Sequence, residues 1–369
     1  MKNKIIIMVI IFIISTVYGH NLKSIEDLNL PIGLGMDIDT ESGIIPILKY
    51  YTVVYNYNTP GVTNFIYKGE GTNFNEIKTR WQAQMNKKFV IGSEKIYLIS
   101  QAFASYGIKN FIDDFAKEPI AQDRGHVLIC DGDPEAFLEY NIEGYPSSVD
   151  YIEEILNNIG DMDFFYYDNY KLIDVYVRYH AEGRSIVLPR IRIKDEFFEL
   201  SGLAIFKEDK MIGKINMDEA RWFNMLRDDS TKGIYIMDYD EGEGQSIDYQ
   251  LSTIKKVDVN KNEEGEYSFI ITLDISADVI SNKTDRDIFG DLKEQDKAAK
   301  ELEVDIRKRC TKSLYSTVYR YNVDCLSLGK YAAAYYGRKI VDDWDAMVSQ
   351  SDIEVKVNVK MDRQGRSDY

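Results

Sequence analysis

A chain of 369 residues is long enough for two or three domains that each bury a core. Its 44% hydrophobic and 12% aromatic content excludes wholesale disorder. A formal charge of −16 leaves no basic footprint for DNA or RNA and is repelled by anionic lipid headgroups, so nucleic acid is not a candidate partner.

The chain opens as an export signal. MKNK is the positive n-region, Ile5 to Ile14 the apolar h-region, and Ser15 to Gly19 a short c-region ending in a small residue, so residues 1–19 read as a signal peptide. As a helix, Ile5 to Tyr18 would rise ~21 Å at ~1.5 Å per residue. That is short of a hydrocarbon core about 30 Å thick, which favours cleavage over a retained anchor. No later segment approaches a membrane span.

Strands and helices then alternate. Residues 32–38 and 50–57 read as strands, 75–87 as a helix and 89–100 as another strand. Ile108, Phe111, Ile112 and Phe115 give helical spacing to 105–117, closed by Pro119. A short buried strand over 125–130, the turn DGDP and a helix over 135–140 complete a first α/β unit, 21–142. A second unit, 143–238, starts after GYPSS with a helix through Asn157 that Ser148 and Asp150 can cap. Next come a helix over 170–181, a strand over 185–193, and a hairpin of 196–206 and 211–215 joined by KEDK. Asn216 with Glu219 makes a capping box that opens the helix MDEARWFNMLRD, and 232–237 is a further strand. The acidic, glycine-rich run DYDEGEGQS separates a C-terminal unit, 239–369. It holds strands over 247–259 and 267–275, then a helix of some thirty residues striped by Leu302, Ile306, Cys310, Leu314 and Val318. A helix over 329–348 comes next. The last element alternates Ile353, Val355, Val357, Val359 and Met361 with polar residues, a strand with one buried face. The fold class expected is mixed α/β, or α+β.

Catalytic signatures are absent from this pattern. His20, His126 and His180 have no partner at metal-ligand spacing. Gly33 and Gly35 lack the third glycine and helix opening of a phosphate loop and fit close backbone approach within a strand. The acids Asp238, Asp240, Glu241 and Glu243 are accompanied by Gly242 and Tyr249, where a calcium loop needs oxygen ligands, and Ser246 lacks a nucleophile-elbow frame. Asp113/Asp114 and Asp342/Asp343 are adjacent and point apart on helices. No catalytic, metal or cofactor site is assigned, and the chain is not expected to be an enzyme. Of the three cysteines, Cys310 and Cys325 could bridge only through a sharp reversal, so buried free thiols are expected.

Motifs in fixed order carry a resemblance. SIEDLNLPIGLGMDID offers Ile25, Glu26, Asp27 and Leu28, then Gly33, Gly35 and Asp37. SYGIKNFIDDFAKEPIAQDRGHVLIC supplies a helix, a proline breaker and a strand; Phe206, Lys207, Asp209, Lys210, Gly213, Glu219 and Ala220 form an F-K-x-D-x-x-G…E-A pattern. DDWDAMVSQSDIEVKVNVKM closes with an aromatic helix and an alternating strand. Over nearly the whole length after the leader, the chain resembles the Ger(x)C, or GerAC-like, family of C subunits of spore germinant receptors. That resemblance implies three dissimilar domains, each a sheet with surrounding helices. It implies a non-enzymatic, exported lipoprotein on the outer face of the spore's inner membrane. It further implies assembly with integral-membrane A-type and B-type subunits into a complex that responds to nutrients.

One departure matters. The family's leader ends in a small-residue tripeptide and a lipidated cysteine, but here the run is Val17-Tyr18-Gly19-His20 and the next cysteine is Cys130. Imidazole at His20 cannot carry the thioether-linked lipid, so lipidation is doubtful, and retention by partners or by an uncleaved leader is expected instead. Lys207, Asp209, Lys210 and Arg221 form a charged cluster by sequence and are the candidates for partner contact. The competing reading is an ordinary solvated face over a buried Trp222/Leu226 stripe. The alternative function is an exported solute-binding protein that holds a small ligand alone; a secreted hydrolase is the third and has no residues to support it.

Overall fold

The structure, a computed structural model, describes residues 27–41, 45–56, 63–118, 121–159, 164, 170–239 and 244–364. Its first part runs β1 (Leu28–Asn29), β2 (Pro31–Asp39), β3 (Ile47–Asn56), β4 (Thr63–Gly71), α1 (Phe74–Gln84), β5 (Lys88–Phe89) and β6 (Ile96–Ser100). It continues through α2 (Gln101–Tyr106), α3 (Lys109–Ala116), β7 (His126–Cys130), α4 (Pro134–Glu139), α5 (Ser148–Asn158) and α6 (Leu172–His180). Then come β8 (Val187–Lys194), β9 (Phe197–Lys207), β10 (Lys210–Ile215), α7 (Met217–Arg227) and β11 (Ser230–Asp238). The last part has β12 (Ser246–Lys261), β13 (Tyr267–Asn282), α8 (Leu292–Leu314), α9 (Gly329–Tyr336), α10 (Trp344–Gln350) and β14 (Asp352–Gln364).

The runs IYLIS and HVLIC are buried at every position because they are central strands covered on both faces. They sit in an eight-stranded sheet of order β10-β9-β8-β7-β6-β2-β3-β4, parallel from β8 to β2 and antiparallel at both flanks. The sheet crosses the expected 142/143 boundary without a break, since Ile129 pairs with Arg190 and Cys130 with Ile191. One face carries α1, α2, α3 and α6 over an aromatic layer that includes Tyr50, Phe74, Trp81, Tyr97, Phe111 and Phe115. The other face takes α4 and α5, which come so close that a Cβ on Gly33 would meet Val149 at 2.4 Å. On Gly35 it would meet Leu138 at 2.9 Å. Those glycines therefore admit helices onto the strand.

A second sheet has the order β11-β12-β13-β14, with β14 parallel to β13, and β1 and β5 form a third, two-stranded one. The fold is thus mixed α+β with three sheets. Ala298, Leu302, Ile306 and Cys310 bury the inner stripe of α8 against the second sheet, and a π-type turn, Tyr315–Tyr319, extends the helix. Helix α7 opens with the expected Asn216/Glu219 capping box and packs on both β9 and α8, with seven of its eleven residues buried. One apolar core consequently runs from Ile32 on the first sheet to Met361 on the second. All three cysteines are buried and free.

Several expected elements divide. Residues 105–117 hold parts of two helices, because Gly107 (φ +134°) ends α2 and the Asp209 carboxylate accepts from Lys109 N to start α3. Residues 89–100 break at Gly92 (φ +133°), whose amide points at Glu94, and 329–348 breaks at Gly337 (φ +107°). The N-cap of α5 is Ser147, not Ser148 or Asp150: its Oγ accepts from Asp150 N. Strand β4 carries no alternation clear enough to announce it.

The loop after α6 meets the start of α9 backbone to backbone. A Cβ on Gly183 (φ +64°) would lie 2.3 Å from the carbonyl carbon of Gly329, and one on Gly329 would lie 2.7 Å from Cα of Gly183. Ser185 N donates to Ser327 Oγ at 3.3 Å, and Lys339 N to Glu182 Oε2 at 2.8 Å. Asp324 sets this contact from within: fully buried, its carboxylate accepts from Leu328 N and Gly329 N, both at 2.7 Å, and its own amide donates to Asp345. Burial keeps Asp324 well above the ordinary carboxylate range, although both amides oppose that shift.

Gly183→Ala is expected to lower unfolding stability by more than about 2 kcal/mol, since left-handed strain of about 1–2 kcal/mol adds to backbone overlap. Gly144→Ala (φ +87°, nothing within 4 Å) carries only the strain, so urea melts of the two should separate. Equal losses would remove the backbone contact as the cause.

Glu94, buried between β5 and β6, accepts from Gly92 N at 3.1 Å and Gln122 N at 3.3 Å. Burial raises its pKa from 4.5 to about 7. The folded chain thus holds this proton more tightly than the unfolded one. The associated stability is complete below about pH 4.5 and is lost as pH rises through 7. Glu94→Gln cannot ionise, so the stability difference between variant and parent should move in the variant's favour by about 3 kcal/mol from pH 4.5 to 8. A pH-independent difference refutes this.

Candidate functional site

Among the described residues no group of three or more His, Cys, Asp or Glu is placed to hold a metal ion. His126 starts β7, buried, with its amide bonded to Lys95 O at 2.8 Å. His180 ends α6 and packs tilted or edge-on against Tyr176 and Tyr179, with ring centroids 4.5 and 4.9 Å apart. Gly19 and His20 lie outside the described residues, as do Asp240, Glu241 and Glu243 of the acidic run.

The candidate contact residues do not converge. Lys207 and Lys210 are exposed and flank the two-residue turn between β9 and β10, both of whose residues have positive or engaged backbone: Glu208 sits at φ +53°, and Asp209 O accepts from Ile108 N. The turn is therefore pinned to the start of α3. Arg221, on the outer side of α7, lies 3.9 Å from Asp218 at partial exposure. It belongs to α7, which starts after the far end of β10, a strand that spans ~17 Å at ~3.3 Å per residue, so Arg221 and the lysine turn are carried by different elements. Trp222 and Leu226 are buried, as the competing reading had them.

A different set of charges does converge, at the junction of α6, the end of α7, β12 and α9. Arg227 is 3% exposed and lies over the Tyr170 ring at 5.7 Å, with Asp228 3.9 Å away. The Lys255 ammonium, inaccessible to solvent, donates to Arg227 O and stands 3.7 Å from Asp229. Asp229 also takes Lys330 at 3.6 Å and Tyr331 OH at 3.0 Å. Burial, reinforced by Lys330, pushes Lys255 down to about 8; burial and Arg227 push Arg178 down to about 9. Burial raises Asp228 against the pull of Arg227 and Arg178. Burial works against ionisation of Asp229 too, but Lys330 and Lys255 hold it below the usual range. Positive charge thus exceeds negative charge in a poorly solvated junction. No spacing in the sequence marks these residues, because they come from four elements between 170 and 331.

A second polar knot lies at the carboxyl ends of β6 and β7. The Asp131 carboxylate accepts Arg190 Nε at 3.0 Å and Nη2 at 2.5 Å, Ser201 Oγ at 2.7 Å, and Gln101 Nε2 at 2.7 Å. Every lone-pair direction is occupied, so this knot ties β7, β8, β9 and α2 together and leaves no acceptor for a ligand.

Two cavities flank the loop 181–184. One, of about 580 Å³, opens between α6 and α9 and is lined by Tyr176, Val177, Arg184, Lys330, Ala333 and Arg338 among others. The other, of about 820 Å³, lies towards α3 and α10 and mixes Lys109, Arg178 and Lys207 with Asp342, Asp343 and Asp345.

Comparison with known proteins agrees across the chain. The spore germination protein N-terminal domain matches residues 21–193, and the spore germination B3/GerAC-like C-terminal domain matches 201–365. The boundary between them falls in the β8–β9 hairpin of the shared sheet. The spore germination protein GerQC of Bacillus cereus is 22% identical over 370 aligned positions, covering 96% of this chain and 98% of that protein. Spore germination protein YndF of Bacillus subtilis (strain 168) is 22% identical over 182 positions, 48% of this chain and 45% of its own length. The crystal structure of the GerBC protein shares the fold, with a TM-score of 0.59 at 12% identity, covering 89% of this chain and 97% of that one. Matched by family models along almost all of its length, the chain belongs to the spore germination B3/GerAC-like family.

Proposed function

We propose that the chain is the extracytoplasmic C subunit of a nutrient germinant receptor, a non-enzymatic protein acting with integral-membrane A-type and B-type subunits at the outer face of the spore's inner membrane. The observation that carries this reading is the pair of family matches over 21–193 and 201–365, which leaves only the leader and short segments unmatched. Among the described residues no helix is long and apolar enough to cross a membrane.

With His20 where the family's lipidated cysteine would stand, an acyl chain is not expected at that position, and a net charge of −16 gives the chain little attraction to anionic lipid. Retention then falls to the membrane subunits or to an uncleaved leader. The lysine turn, Lys207 and Lys210, is one proposed contact and Arg221 of α7 another.

Mass spectrometry of the protein recovered from spore inner membranes should find a mature terminus at His20, co-purifying with A- and B-type subunits. An intact Met1 terminus would assign retention to the leader, and absence from the membrane fraction would overturn the receptor reading. Lys207→Glu combined with Lys210→Glu is expected to weaken that co-purification at least tenfold while leaving the melting temperature within a few degrees, because both side chains are exposed. Undiminished recovery and normal germination would exclude the turn as a contact.

A further inference from the structure

We propose that the cleft between α6 and α9 is a binding site for a small organic carboxylate with an apolar body. In a chain of net charge −16, this cleft gathers Arg184, Lys330 and Arg338 around a single carboxylate, Glu182, among the described residues. Glu182 is engaged, since one oxygen accepts Lys339 N at 2.8 Å. Arg184 and Arg338 make no hydrogen bond or ion pair among the described residues. Arginine presents a planar fork that matches a carboxylate, and two unpaired forks at one cavity are an unusual use of cations on an acidic surface.

The charge behind the cleft has the same sign. Lys330 connects its lining to the buried junction, where Arg178, Arg227, Lys255 and Lys330 together outnumber Asp174, Asp228 and Asp229. An anion in the cleft relieves that excess, and low-dielectric walls focus the field onto it. Burial, with Arg184, Arg178 and Arg227, already holds Lys330 below its ordinary range despite Asp229.

The opposite wall selects the rest of the ligand. Tyr176 and Val177, exposed on consecutive positions of α6, face Ala333 and Ala334 of α9 across a space of about 580 Å³. That volume holds a molecule of ring size, and apolar walls with a few convergent charges are the usual make-up of a small-molecule site. The cleft also spans the Gly183–Gly329 contact, so one wall belongs to the eight-stranded-sheet part and the other to the C-terminal part. An occupant therefore links the two.

The inference concerns the isolated chain and does not depend on receptor membership. Isothermal titration calorimetry of the full chain with isophthalate should give saturable binding, with neutral benzamide at least tenfold weaker. Arg184→Gln with Arg338→Gln should reduce isophthalate affinity at least tenfold; the exposure of both side chains leaves the ligand-free melting temperature in place, and circular dichroism verifies it. Lys293→Gln, at the far end of α8, should bind as the parent does. No saturable isophthalate binding, equal binding of benzamide, or affinity unchanged in the double variant would overturn the assignment. Inorganic phosphate competing as strongly as isophthalate would overturn its carboxylate character. Germination assays of spores report separately on the receptor reading, so failure of one does not imply failure of the other.

Discussion

The backbone contact between Gly183 and Gly329 sets how closely the two large sheets are joined. Neither residue can carry a side chain there, and Asp324 fixes Gly329 by accepting two consecutive amides at the opening of α9. A buried carboxylate that replaces solvent with backbone donors is costly to desolvate but, once satisfied, admits few other geometries. The neighbouring pieces depend on it: the cavities on either side of 181–184, the proximity of α6 to α9, and the concentration of cations behind them. The continuous apolar core through α7 supplies adhesion across the same junction, while the glycine pair supplies its register.

Periodic elements were legible in the sequence where periodicity was strong. The capping box of Asn216 and Glu219, the stripe from Leu302 to Val318, and the alternation from Ile353 to Met361 all lie where residue spacing puts them. Breaks were not legible. Gly107 and Gly337 sit inside runs of helical pattern, and at Gly107 the reason for the break is tertiary: Asp209, a hundred positions later than Lys109, caps the start of α3. Continuity of one sheet across residue 142 was equally hidden, because strand order is a property of pairing and leaves no mark in either strand alone.

The candidate sites divide along the same line. Lys207 and Lys210 lie close in sequence and stay close in space, since a two-residue turn joins them; Arg221 belongs to the next helix, after an entire strand. The junction of Arg178, Arg227, Lys255 and Lys330 shows the converse, residues far apart in sequence that share one volume. A buried cation announces itself only through its partners, and those are fixed by the fold.

The parallel pairing of β14 with β13 places the last strand on an edge that the β12–β13 hairpin has already formed. During synthesis, that edge emerges first and waits, unpaired, while α8, α9 and α10 are made. Long-range parallel pairing closes slowly, and an open edge of alternating apolar residues invites foreign strands. Synthesis from the amino terminus therefore exposes this chain to misassembly for longest in its C-terminal third, until β14 pairs with β13.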